Sequence, residues 1–243
     1  MNKKYELTDE TIEWYGRTLY RIRAVKDFRD VKKGELGGYV QGEHNLSHYD
    51  DCWIYDNAKV YDDAFVCNSA IVFDNARASG NATVSGNAIV CNNAIVRNSA
   101  RICNSAIVFD NAIVSGNAIV FDNVRASGNA IVSGYAIVSD NAFICNNAEV
   151  GGNVRVGGNA YIKENAYIEN NNDFLCIGQI GSRNDYTTFY LDKDKNIYVS
   201  CGCFNETIDK FEKAVEKTHG DNEYGKQYKI AIETVERMLA LDN

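Results

Sequence analysis

The sequence predicts a mainly β chain: a triangular solenoid of parallel strands followed by a small α+β domain. Three observations predict it. Starting from Ile54, every sixth residue through Ile168 is Ile or Val, apart from Ala78 and Ala126. The residue four further on is Ala from Ala58 to Ala166, with Val124 and Val154 as exceptions, and nothing is inserted or deleted over that span. Self-similarity held at one short period marks a solenoid. Finally, the period dissolves from Leu175, where the pattern becomes that of a hairpin and two amphipathic helices.

A solenoid exposes an unpaired strand edge at each end, and residues 1–45 are expected to cap the first. Lys4–Leu7 and Arg17–Val25 read as strands around a Trp14-Tyr15-Gly16 turn. Gly34-Glu35-Leu36-Gly37-Gly38-Tyr39-Val40 then leads into the first coil.

Residues 46–174 form the coils. In the unit Ala112-Ile113-Val114-Ser115-Gly116-Asn117, Ala112 and Val114 point inward while Ile113 and Ser115 point outward, as in a short strand. Gly116-Asn117 is a corner, and other corners read Asp-Asn, Asn-Ser or Asn-Asn, residue types that tolerate φ > 0 or cap turns. Three corners per circuit close a triangular prism in which each strand stacks on its copy eighteen residues away. Asn57, Asn75, Asn93, Asn111 and Asn129 fall in one column and can bond to one another as a ladder.

Residues 175–243 form the tail domain. Tyr186–Leu191 and Asn196–Cys201 read as a hairpin across Asp192–Lys195. Ile208, Phe211, Ala214 and Val215 mark a helix over Glu206–His219 that stops at Gly220. Tyr224, Tyr228, Ala231, Val235 and Met238 mark one face of a second helix.

The coil pattern resembles the hexapeptide-repeat family of left-handed parallel β-helices, whose motif is [LIV]-[GAED]-x-x-[STAV]-x. The left hand follows from that resemblance alone, because parallel crossovers are ordinarily right-handed. The layout also resembles hexapeptide-repeat proteins of bacteriophage and prophage genomes, which join an LxDLGGYV-type leader, NAxVxG coils and a tail with GSR…TTF…CGCF. Here the tail reads Gly181-Ser182-Arg183, Thr187-Thr188-Phe189 and Cys201-Gly202-Cys203-Phe204. That resemblance implies the cytoplasm of a host cell and no particular activity.

The residues themselves argue against an enzyme. Hexapeptide acyltransferases use a coil histidine as base, and γ-type carbonic anhydrases hold a metal with three. The histidines of this chain are His44, His48 and His219, all outside the in-phase coils. The expectation is a non-enzymatic oligomeric binding protein that, if the phage resemblance holds, occupies or sequesters a host defence protein or nucleotide immune signal. A divergent hexapeptide-type transferase using one of these histidines is the first alternative, and a structural spacer or virion component the second. Cys201 and Cys203 share a strand face with His219 following, which admits a metal site or a Cys–His nucleophile, but a fourth ligand is missing. No cofactor or metal is expected.

Two clusters are candidate ligand sites. Ser182, Arg183, Tyr186, Thr187 and Thr188 concentrate donors in an expected loop suited to phosphate or carboxylate. Arg77 and Arg97 lie on adjacent coils with Arg101 around the corner, an arrangement able to hold a small anionic nucleotide.

Outward positions of a monomeric solenoid should be polar, yet here many are apolar. One face stacks Trp53, Ile71, Ile89, Ile107, Phe143 and Tyr161, flanked by Tyr55, Phe73, Cys91 and Phe109. The second stacks Ile95, Ile113 and Ile131, and the third Ile119 and Ile137. Such ladders predict a cover: identical subunits in a homo-oligomer, a trimer first among them, the chain's own tail, or a host protein.

Composition bounds the rest. A net charge of −8 argues against nucleic acid or an anionic membrane as partner. Without an apolar segment of signal or spanning length, a reducing cytoplasm is expected. Cys67 and Cys103 are two coils apart, about 9–10 Å at strand spacing, too far for a disulfide.

Overall fold

Each hexad contributes one two-residue strand, because two residues are all that fit between corners that turn the chain. A computed structural model describes residues 3–239; the predicted cap and tail domains begin and end outside that range. After β1 (Tyr5–Trp14), β2 (Arg17–Ala24) and β3 (Leu36–Val40), twenty such strands, β4 to β23, run from Trp53–Ile54 to Tyr167–Ile168. They stack in parallel on three faces, each strand pairing with its copy one coil away, as Ile89 does with Ile71 and Ile107. The backbone bonds run along the axis: Ile89 N–H donates to Ala106 O (2.9 Å) and Cys91 N–H to Val108 O (3.0 Å).

The core follows from the alternation. The inward residues, Val90, Ile102, Val108 and their equivalents, are fully buried with the alanine column between them. The column beside each corner takes small side chains, mostly alanine, and Val124 and Val154 fit it fully buried. The corners take the left-handed conformation, with Asp110 at φ 58° and Asn104 at φ 57°. Their side chains tie successive coils. Asp110 accepts from Asn92 Nδ2 (3.1 Å) and from Gly128 N–H (3.1 Å). The predicted asparagine ladder joins Asn93 to Asn111 and Asn111 to Asn129, both at 3.3 Å, and continues to Asn147 (3.1 Å).

Both ends of the rod stop at a short 3-10 turn held by one buried side chain. Asn45 accepts from Gln41 and Gly42 N–H (3.0 Å each) and donates to Asp62 O and Ala64 O (2.9 Å each). At the far end Asp173 accepts from Glu169 (2.8 Å) and Asn170 (2.7 Å) N–H. The hairpin β1–β2 extends the sheet that β3 starts, and Gly38 is required there: a β-carbon would meet Ala58 O and Ile54 at 2.6 Å. Under this cap Lys4 is buried, its ammonium donating to Cys52 O (2.7 Å) and Asp50 O (3.2 Å).

The tail domain is a four-stranded antiparallel sheet of β24 (Phe174–Ile180), β25 (Asp185–Leu191), β26 (Ile197–Cys201) and β27 (Phe204–Thr207). Helices α1 (Ile208–His219) and α2 (Glu223–Leu239) pack against it. It caps the last coil instead of lying along a face: Tyr190 joins the rod's core, with Phe174, Cys176 and Tyr198 against it. The α2 face is also rotated from the predicted one. Tyr224 and Met238 are exposed, and Ile232 and Leu239 complete the buried stripe with Tyr228, Ala231 and Val235.

Candidate functional site

Four separate segments of the tail domain converge on one cleft of about 330 Å³. The turn between β24 and β25 brings Ser182 and Arg183, and the β26–β27 hairpin brings Cys201 at the end of β26, Cys203 in the turn and Phe204 at the start of β27. The exposed end of α1 adds Thr218 and His219, and α2 adds Tyr228. Local sequence explains the placement. The α1 stripe of Ile208, Phe211 and Val215 docks on the sheet, and Gly220 ends the helix by donating to Glu216 O (3.0 Å), leaving His219 on its final turn. Gly181 N–H donates to Gln227 Oε1 (2.7 Å), pinning the arginine-bearing turn to α2.

The cleft has an aromatic floor and a polar rim. Phe211 lies 5.2 Å from Phe204 and 5.4 Å, edge to face, from Tyr228, and the His219 ring stands 5.8 Å from Tyr228. Burial pushes the Tyr228 phenol up to about 12, reinforced by Cys201 and Asp185 and opposed by Arg183, so it stays a neutral hydroxyl. The Cys201 sulfur is engaged, accepting from Thr187 Oγ1 (3.4 Å) and lying 3.8 Å from Tyr228 Oη. One exposed guanidinium, several hydroxyls and an aromatic floor of mutually tilted rings suit a small anion with an apolar body.

The structure divides the predicted loop cluster. Ser182 and Arg183 reach the cleft. Thr187 and Thr188 do not, because they lie inside β25 and are buried; Thr188 Oγ1 instead accepts the Tyr161 N–H (3.0 Å), tying the domain to the last coil. Tyr186 faces a different pocket, at the seam with the rod. Sequence reasoning gave no site role to Phe204 or Thr218, and it placed Phe211 and Tyr228 only as helix core.

The arginines of the rod do not join them. Arg77 lies 5.9 Å from the Trp14 ring, whose face also takes the Lys59 ammonium at 4.6 Å. Arg97 and Arg101 are exposed on the coils. His44 and His48 belong to the cap: His44 Nε2 bonds Asp62 O (2.8 Å), while His48 stacks on Tyr5 at 4.3 Å and accepts the Lys4 N–H (3.3 Å).

The outward ladders need one correction and one refinement. Trp53 is fully buried, because the leader folds over it and Phe28 (5.3 Å) and Tyr5 (6.2 Å) pack edge-on to its ring. Tyr55 donates its hydroxyl to Asp30 (2.8 Å). Ile71, Phe73, Ile89, Ile107, Phe109, Ile95, Ile113, Ile131, Ile119 and Ile137 do turn outward, but each is partly covered by the rungs above and below it. The bare area is therefore smaller than the sequence suggests. All eight cysteines are unpaired. Among the described residues, no helix is long and apolar enough to cross a membrane.

A family model described as the YdcK beta solenoid repeat matches residues 76–92, a stretch just short of one coil. None of the curated proteins compared matches the chain. With the coil geometry, the match makes this a repeat protein of the β-solenoid type.

Proposed function

We propose that this repeat protein is a non-catalytic binding protein, in which the solenoid is a rigid stalk and the tail domain captures a small anionic ligand in the cleft beside Arg183. The observation that carries the reading is convergence: Arg183, Cys203, His219 and Tyr228 come from four segments and line one cleft. A nucleotide matches its chemistry, with phosphate on the Arg183 guanidinium and the base over Phe204 and Phe211.

The likeness of leader, coils and tail to phage and prophage proteins extends the reading. In a host cytoplasm, such a protein would occupy or withdraw a host component, either a nucleotide immune signal or a defence protein. Self-association belongs to the same reading. The ladder of Ile71, Ile89 and Ile107 beside Phe73 and Phe109 gives an identical subunit a flat apolar strip, and a parallel trimer is the arrangement proposed.

The test is calorimetric titration of the purified chain with a panel of mono-, di- and cyclic nucleotides. At least one is expected to bind, and Arg183→Gln to weaken it about tenfold or more, the worth of one charge-assisted contact. Absence of binding across the panel refutes the nucleotide reading. A divergent transferase is favoured by one observation, the Cys203 thiol and His219 imidazole on the walls of the same cleft. It requires turnover, whereas a binding protein returns its ligand chemically intact.

A further inference from the structure

A second cavity, about 220 Å³, lies at the seam between the last coils and the tail domain. The rod supplies Asn159, Phe143 and Tyr161, and the domain supplies Asp185, Tyr186 and Ser200. Its side chains carry unused hydrogen-bonding capacity. Ser200 is only 2% exposed, and its buried hydroxyl has no hydrogen-bond partner. Buried hydroxyls are ordinarily satisfied, so an orphan lining a cavity is a place where a ligand atom removes a penalty.

Asn159 is the second. Along its corner each asparagine donates to the next: Asn123 to Asn141 (3.1 Å), then Asn141 to Asn159 (3.2 Å). Eighteen residues beyond Asn159 stands Ile177, in β24, where the coils have ended. The last amide of the ladder therefore has no further asparagine to donate to. An acceptor lines the same cavity, the Asp185 carboxylate, one oxygen of which takes the Tyr186 N–H (2.7 Å). Phe143 and Tyr161 stack at 4.9 Å to form an aromatic wall, and Tyr186 adds a third ring.

We infer that this seam is a binding site for a single neutral, hydroxyl-bearing ring, the chemistry of one monosaccharide unit. Hydroxyl groups both donate and accept, and so answer Asn159, Ser200 and Asp185 together, while the C–H face of the ring lies on the aromatic wall. Among the described residues, Asp185 is the one charged side chain lining the cavity, and the Lys163 ammonium, 4.8 Å from the Tyr161 ring, and the Arg183 guanidinium against Gly202 offset it, so the site suits a neutral ligand while the cleft suits an anion. The volume falls below the roughly 300–1,000 Å³ of sites for larger ligands, which limits the occupant to about one ring. The two sites are on opposite sides of β26, because Ser200 and its neighbour Cys201 point to opposite faces of the strand.

The test is saturation-transfer NMR on the full chain with glucose, galactose and N-acetylglucosamine as probes at millimolar concentration. Transfer to at least one probe is expected. Ser200→Ala, which leaves a sugar hydroxyl without its partner, and Tyr186→Ala, which removes one ring of the wall, should each weaken it about tenfold. Ser200→Ala should leave the melting temperature unchanged or raised, since it removes an unpaired hydroxyl, so its loss of binding is not loss of fold. Arg183→Gln should leave the saccharide signal intact. No transfer from any probe, or transfer undiminished in both variants, overturns the inference. So does a signal abolished by Arg183→Gln, which assigns it to the cleft.

Discussion

The Arg183 guanidinium occupies the space that a β-carbon on Gly202 would fill. Gly202 also sits at φ 58°, a conformation that side chains adopt with strain. The arginine can lie across the turn into the cleft because that position has no side chain. Gly202→Ala should therefore displace Arg183 and weaken anion binding about tenfold, while costing the fold roughly 1 kcal/mol from strain at φ > 0. Calorimetry and thermal denaturation on the same variant separate the two effects.

The N-terminal cap should loosen in acid. Burial holds the His48 imidazole below its ordinary pKa of 6.5, with Lys3 and Lys4 adding to that and Glu43 opposing it. Because the folded value is depressed, the unfolded chain binds the proton more readily. His48's contribution is therefore fully present above pH 6.5 and is lost as pH falls through the folded value. Melting temperature should fall with pH across that window, and His48→Gln should flatten the dependence. An equal slope in the variant assigns it to other groups.

The corner ladders should contribute measurably to stability. Asp110→Ala removes the acceptor for Asn92 and Gly128 and places alanine at φ 58°. A loss of about 2–3 kcal/mol in denaturant unfolding is expected. Asp110→Gly should recover the strain part, about 1 kcal/mol, without restoring the hydrogen bonds.

Inward and outward rungs should behave differently. Ile102 is fully buried, and Ile102→Ala should cost about 2–5 kcal/mol by opening a cavity in the prism. Ile107 turns outward on a neighbouring face, and Ile107→Ser should cost about 1 kcal/mol or less in a monomer while weakening self-association. Denaturation and sedimentation velocity on both variants read the contrast.

The coils were legible because a slip of one residue in a strand of period two reverses every side chain, so the hydrophobic phase specifies the register. Interiors could be read from Val90 or Ala94 alone. Trp53 could not, since it occupies an outward column and is buried only by Phe28 and Tyr5 arriving from the leader. Thr187 and Thr188 carried two competing signals, a hairpin strand over Tyr186–Leu191 and a hydroxyl-rich ligand loop, and the strand prevails because β25 is central and paired on both sides. The cleft was legible in its turn residues, Ser182 and Arg183, which carry local signals. Phe211 and Tyr228 enter it through helix docking, a long-range event without a local signature, and Phe204 enters it from the start of β27.

Native mass spectrometry of the chain purified from its natural host tests the central claim most directly. A binding protein of this kind should appear as an oligomer carrying a small anionic ligand in molar proportion to subunits, and the ligand should be absent from Arg183→Gln prepared identically. A bare monomer, or a ligand retained unchanged by that variant, would contradict it.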